Sequence, residues 1–179
     1  KFSLSRVTTS PLMIGENLII SDDKGTIYYI DQYGKINWKK NIYKKIYKKI
    51  YKNLNFAINK NNIFVSDNIG FIYAIDLYNG EILWIKNHGV PLKSNIKIFK
   101  NKIFLINQDN RLFCLNIKDG SKIWDVRSIS SFIKSQSLLS LAISKSGNVI
   151  AINSSGDLLK VKGSNGKIYW SSNISESML

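Results

Sequence analysis

The stretch GFIYAIDLYNGEILW, residues 70–84, ends in a tryptophan after an Asn-Gly turn, and three close variants of it stand in the same chain. The variants are GTIYYIDQYGKINW (25–38), NRLFCLNIKDGSKIW (110–124) and GDLLKVKGSNGKIYW (156–170). Each copy closes on one of the four tryptophans of the chain, Trp38, Trp84, Trp124 and Trp170. These are spaced by 46, 40 and 46 residues. Such a period is typical of repeat proteins built from one supersecondary unit per repeat.

Each repeat contains four strand-like runs. In residues 71–76 apolar side chains fall on both faces, which is typical of a strand buried on both sides. Two shorter apolar runs separated by turn residues precede this strand in every repeat, and a last run passes through the tryptophan. Four antiparallel strands per period predict an all-β fold, a β-propeller of four-stranded antiparallel blades. The expected blades, in a single propeller segment over 1–179, are residues 7–41, 54–87, 92–127 and 138–174.

A glycine precedes the last strand of each predicted blade, and a tryptophan lies within that strand. The glycines, which suit the positive φ of a tight turn, are Gly34, Gly80, Gly120 and Gly166. Each tryptophan offers a large flat face that can pack against the next blade. We therefore expect the four tryptophans at equivalent, mostly buried positions of successive blades.

The order of glycine, apolar strand ending in Ala-Ile-Asp (74–76), Asn-Gly turn and tryptophan resembles the repeat of pyrroloquinoline-quinone-like propellers. More narrowly, it resembles the BamB family of outer-membrane assembly lipoproteins. The resemblance covers nearly the whole chain; it is clearest at 63–84 and weakest in the last repeat, where Lys160 and Lys162 replace a small residue and an aspartate.

The resemblance implies a non-catalytic scaffold for protein–protein interaction, periplasmic and associated with the outer membrane, with the outer-membrane assembly machinery as partner. The family commonly has eight blades, so four repeats imply half of a ring. Blade faces rich in apolar residues would then be exposed at both ends. We expect missing chain, a companion chain or self-association to cover them.

Two other functions stay open at this point. Quinone-dependent dehydrogenases share the repeat, but they need a calcium site and a catalytic aspartate, and many have a disulfide of adjacent cysteines. Asp31 and Asp76 occupy equivalent repeat positions, which indicates a turn role, so no catalytic, cofactor-binding or metal residue is assigned. The third function is that of a luminal sensor domain of an endoplasmic-reticulum stress kinase, in which the glycosylation triplets at Asn153 and Asn173 would be usable.

The single cysteine and the single histidine do not indicate catalysis. Cys114 stands at the repeat position of Ala74, which predicts a buried, inert thiol. His88 lies between the second and third predicted blades, beside Gly89, and is expected to be a surface loop residue. No cofactor is therefore predicted.

The segment KKNIYKKIYKKIYKN, residues 39–53, breaks the repeat, because it carries seven lysines and no acidic residue. Isoleucine-tyrosine pairs recur every four residues, which predicts a basic amphipathic helix inserted between blades. Such a helix could bind an acidic partner or an anionic membrane through its lysines, of which the central ones are Lys44, Lys45, Lys48 and Lys49. The alternative is an insertion whose apolar stripe packs on the propeller and whose lysines are solvated.

The formal net charge of +14 does not by itself indicate nucleic acid as a partner. Outside residues 39–53 the lysines are dispersed, arginines number three, and no nucleic-acid-binding motif is present. Abundant isoleucine, asparagine and lysine are what an AT-rich genome encodes whatever the function. The chain also contains no run of 18 apolar residues, so no membrane-spanning helix is expected.

Overall fold

The computed structural model describes residues 10–47, 49–127, 134–135, 137 and 139–174. Within these residues four antiparallel sheets of four strands follow one another along the chain, which confirms the predicted all-β fold of four-stranded antiparallel blades. Blade 1 comprises β1 (Leu12–Ile14), β2 (Asn17–Ser21), β3 (Thr26–Ile30) and β4 (Ile36–Asn41). Blade 2 comprises β5 (Leu54–Asn59), β6 (Asn62–Asp67), β7 (Phe71–Asp76) and β8 (Ile82–Asn87). Blade 3 comprises β9 (Lys97–Phe99), β10 (Lys102–Ile106), β11 (Arg111–Asn116) and β12 (Lys122–Arg127). Blade 4 comprises β13 (Ser140–Ile143), β14 (Val149–Ile152), β15 (Asp157–Val161) and β16 (Ile168–Asn173).

The register of the last two strands is the same in every blade. Each tryptophan is paired with one residue of the preceding strand, and the register shifts directly after that residue. The paired residues are Tyr29, Ala74, Cys114 and Lys160. The tryptophans therefore lie at equivalent positions.

Apolar side chains between consecutive blades form the core. One cluster joins blades 1 and 2 and includes Ile19 and Val65, a second joins blades 2 and 3, and a third joins blades 3 and 4. Both faces of β7 take part, because Tyr73 packs toward blade 1 and Ala74 toward blade 3. Among the described residues no such cluster joins blade 4 to blade 1.

Each tryptophan of the first three blades stacks on the turn glycine of the next blade. A Cβ atom added to Gly80 would lie 2.9 Å from the Trp38 ring, one on Gly120 2.6 Å from Trp84, and one on Gly166 2.8 Å from Trp124. The indole N–H groups donate to carbonyl oxygens of the same turns, from Trp38 to Leu77 at 2.8 Å and from Trp84 to Ile117 at 3.2 Å. Glycine is thus needed both for positive φ, 68° at Gly120, and for the close approach of the ring.

The two ends of the stack lack this contact. Gly34 has positive φ, 81°, but no atom of the described residues lies within 4 Å of a Cβ added there. Trp170 in blade 4 is 43% exposed, so the expectation that all four tryptophans are mostly buried is wrong for this one. The reason is that no further blade covers Trp170 in the part of the chain that the structure describes.

The segment 39–53 is not the predicted amphipathic helix. Strand β4 continues to Asn41, and the only helical turn within described residues 42–53 is a 3₁₀ turn, η1 (Lys45–Tyr47). Residues 42–53, here called the connector, join β4 to β5, and they are as many as the residues 128–139 that separate β12 from β13. The connector therefore matches the junction between blades 3 and 4 in length, and it is three residues longer than residues 88–96, which join blades 2 and 3.

Tertiary contacts explain why the helical periodicity failed. Ile42 and Tyr43 are buried in the core between blades 1 and 2, and Tyr47 packs against it, while Ile46 stays exposed. The backbone N–H of Lys52 donates to the carbonyl of Asp23, and that of Asn53 to the Asn68 side chain. These contacts fix the connector at both ends, and packing of this kind overrides local helix propensity.

A buried polar group holds the connector onto blade 2. The Tyr43 hydroxyl donates to Oδ2 of Asp67 at 2.6 Å, and Oδ1 of Asp67 accepts the backbone N–H groups of Ile69, Gly70 and Phe71. Burial raises the pKa of Asp67 above its ordinary value, while these hydrogen bonds lower it. Lys52 is also fully buried, with Nζ 5.0 Å from the centre of the Tyr43 ring, so the expectation of solvated lysines is wrong at this position.

Replacing Gly120 by alanine is expected to destabilise the protein more than replacing Gly34. Both substitutions place a Cβ at positive φ, which costs about 1–2 kcal/mol. Only the Gly120→Ala methyl meets an indole ring, and overpacking of this kind costs a further ~1–3 kcal/mol. Urea unfolding of both variants measures the difference. Equal losses for the two would contradict the stacking role of the glycine.

Tyr43→Phe is expected to lower the free energy of unfolding by about 1.5–3 kcal/mol at neutral pH, because it removes a donor from a buried carboxylate. The matched control is Tyr47→Phe, since the Tyr47 hydroxyl makes no hydrogen bond among the described residues. The hydrogen bond from Tyr43 lowers the pKa of Asp67 against the effect of burial, so it stabilises the ionised carboxylate, and the Tyr43→Phe loss should shrink as pH falls through that pKa. Urea unfolding at several pH values checks both expectations; a pH-independent loss would show that Asp67 is not involved.

Candidate protein-docking site

An apolar groove of about 240 Å³ lies between the connector and the outer strands of blade 2. Ile46 and Tyr47 line it from the connector, and Phe71, Tyr73 and Ile85 line it from blade 2. Because its volume is near the lower end of ligand pockets, it suits one or two inserted side chains rather than a large cofactor.

Edge-to-face aromatic contacts hold the groove open. The Tyr47 and Phe71 rings lie 5.3 Å apart between centroids with an interplanar angle of 77°, and Tyr43 and Tyr73 lie 6.0 Å apart at 75°. Such pairs are stabilising beyond the area that they bury. Because Tyr43 is also hydrogen-bonded to Asp67, the groove is formed before any partner binds.

Three of the four predicted partner-binding lysines are exposed on the connector. Lys44 lines the groove, and Lys45 and Lys49 lie on the connector surface; Lys48 lies outside the described residues. Within the described part of the chain none of these three forms a salt bridge. Their charge is therefore available to an external acidic group.

A second, larger cavity of about 500 Å³ lies on the first strands of blades 1 to 3. It is lined by apolar residues such as Leu54 and Phe56 and by polar ones such as Asn55, Asn95 and Lys97. No sequence pattern predicts this cavity, because its walls come from three repeats that are distant in the chain.

The acidic and amide side chains of the described turns have structural roles. Asp31 and Asp76 accept backbone N–H groups of their own turns through Oδ1, as their repeat position indicated. A second series, between the second and third strands of the blades, does the same: Asp22, Asp67, Asn107 and Asn153. This series was not among the predicted residues, although an Asp or Asn stands four residues before the third strand in each repeat. Among described residues, no three His, Cys, Asp or Glu side chains are grouped as a metal site would require.

Cys114 is buried, as predicted, and burial raises the pKa of its thiol to about 12, so it is protonated at neutral pH.

His88 differs from its prediction as a surface loop residue. Its ring is half-buried and 5.2 Å from that of Phe113, and burial together with Lys122 and Lys86 lowers its pKa. Nε2 of His88 is buried without a hydrogen-bond partner in the described residues. A neutral ring packed on blade 3 explains this environment.

Sequence and structure comparisons agree on one family. The sequence profile of the outer membrane protein assembly factor BamB matches residues 23–178. BamB of Moranella endobia (strain PCIT) is 23% identical, over 71% of this chain and 34% of that protein. The chain thus spans about a third of the length of this curated relative.

Solved structures show the same fold. The crystal structure of BamB from Moraxella catarrhalis matches with a TM-score of 0.74 at 14% identity, covering 93% of this chain and 49% of that one. A europium-containing methanol dehydrogenase matches with a TM-score of 0.75 at 14% identity, covering 97% of this chain and 43% of that one. At these identities the structural likeness establishes the propeller fold alone. The family rests on the profile match over most of the sequence, and the chain belongs to the family of the outer membrane protein assembly factor BamB.

Proposed function

We propose that this chain is part of a non-catalytic propeller scaffold that binds other proteins in outer-membrane protein assembly, in the periplasm at the outer membrane. The observation that carries the proposal is the connector, which is anchored by buried contacts and presents three unpaired lysines beside an apolar groove. The family name supports the process, because the relatives are named as outer membrane protein assembly factors. No described helix is long and apolar enough to cross a membrane.

Two physical effects act together in this scaffold. Exposed lysines attract acidic partners over a distance and raise the rate of encounter. The groove then supplies short-range apolar contact, and because it is already formed, little conformational entropy is lost on binding. The lysines set orientation and rate, and the groove sets how long the complex lasts.

The open ends of the stack support a second class of proposed partner. Within the described ranges, the Trp170 indole stacks on no turn glycine, and the turn glycine Gly34 is covered by no indole. Further blades, from the same polypeptide or from a second copy, would complete both contacts in the way seen three times within the chain.

Replacing Lys44, Lys45 and Lys49 together by glutamine should weaken capture of outer-membrane assembly components, and added salt should reduce the difference from the unmodified protein. The matched control removes the same charge elsewhere, from the exposed turn lysines Lys60, Lys118 and Lys145. Pull-down at low and moderate salt measures the effect, and liposomes with anionic lipid provide a parallel arm. An equal loss in both variants would show that net charge, rather than the connector, is responsible.

The proposal also predicts that the protein does not bind pyrroloquinoline quinone with calcium. The described turn aspartates that could ligate calcium already accept backbone hydrogen bonds. Absorbance titration of the quinone with calcium present tests this, with a quinone-dependent dehydrogenase as positive control. Saturable binding at one quinone per chain would refute a non-catalytic function.

A further inference from the structure

Blade 2 carries apolar side chains at two positions where the other blades carry polar ones. The first residue of its third strand is Phe71; the equivalent residues are Thr26, Arg111 and Asp157. The residue after its tryptophan is Ile85; the equivalent residues are Lys39, Asp125 and Ser171. Because Phe71 and Ile85 both line the groove, the departure from the repeat is local to this site.

Packing explains one of these departures but not the other. Phe71 stacks on Tyr47 and so helps to hold the connector. Ile85 remains 47% exposed in the blade wall of the groove, and Ile46 in the connector wall is 75% exposed. Single exposed apolar side chains are ordinary, whereas two on the walls of one apolar groove indicate a binding surface.

The groove runs beside an open strand edge. β8 pairs with β7 and is the outermost strand of its sheet, so one side of its backbone has no strand partner in the described chain. Ile85 and Asn87 of β8 line the groove, and Leu83 on the same strand is 50% exposed. An added strand would form main-chain hydrogen bonds with such an edge and place alternate side chains in a neighbouring pocket.

The charge around the groove indicates which segment fits. Lys44 lines it, Lys45 is exposed next to it, and none of its lining residues is acidic. An extended segment with acidic residues on either side of an apolar one is complementary to this arrangement. A flat anionic membrane is less complementary, because it cannot enter a concave groove or pair with a strand edge.

We infer that the groove between the connector and β8 binds an extended acidic segment of a partner protein. The segment pairs with the open edge of β8 and inserts an apolar side chain between Ile46 and Ile85. This inference rests on the proposed scaffold function and identifies its docking site.

The test uses a fluorescein-labelled ten-residue peptide in which glutamate alternates with valine around a central phenylalanine, titrated by fluorescence anisotropy. Ile85→Ser should weaken binding about fivefold, as expected for losing contact with roughly half of a buried isoleucine. Serine is already the residue of blade 4 at this position, Ser171, so the fold tolerates it. The control is Ile123→Ser, because Ile123 is 43% exposed on β12 of blade 3 and is not one of the residues that line the groove. It should change binding less than about twofold, within the usual range for surface substitutions.

Three results would overturn the inference: no binding of the peptide, equal effects of Ile85→Ser and Ile123→Ser, or undiminished binding of a peptide with lysine in place of glutamate. Vesicles of phosphatidylglycerol that bind in an Ile85-dependent manner without peptide binding would make the groove a lipid site and also overturn it. The scaffold proposal fails separately, if the unmodified protein captures no assembly component. The peptide titration decides the groove in either case.

Discussion

The stacking of an indole ring on a glycine of the next blade is the contact on which the arrangement of the blades depends. It occurs at three successive junctions, with the ring 2.6–2.9 Å from the place where a Cβ would stand. The indole N–H also donates to the same turn, for example from Trp124 to the Gly163 carbonyl at 3.3 Å. One side chain thus supplies both apolar contact and a directional hydrogen bond. The relative position of neighbouring blades is therefore fixed at the outer strand, away from the segments that join one blade to the next.

This separation leaves the junctions between blades free to differ. The apolar clusters and the tryptophan contacts define the stack, whereas residues 42–53 and 88–96 cross between blades with different lengths and compositions. The connector can therefore carry lysines and an exposed isoleucine while the contacts between blades stay the same. Binding function is commonly found on loops that a rigid scaffold positions.

The parts of the structure that sequence predicted are those that the repeat encodes locally. Four blades, the equivalent tryptophans and the turn glycines follow from patterns within about 15 residues. The connector differs from the predicted helix because its isoleucine-tyrosine pairs match a helical period, while contacts with Asp67 and Asp23, distant in sequence, hold it in an irregular path with one 3₁₀ turn. Burial of Lys52 was unpredictable for the same reason. The groove required knowing that Phe71 and Ile85 face the connector, which only the folded chain shows.

Asp67 shows how a repeat position acquires a second role. Its Oδ1 accepts the turn N–H groups that the side chains of Asn107 and Asn153 accept in their own blades. An amide has no second oxygen, and its NH₂ group could only donate to the tyrosine hydroxyl, in a weaker hydrogen bond than one from that hydroxyl to a carboxylate. The carboxylate has a free Oδ2, and Tyr43 donates to it. Aspartate rather than asparagine in blade 2 therefore strengthens the attachment of the connector to the propeller, and with it the position of the groove wall that carries Ile46 and Lys44.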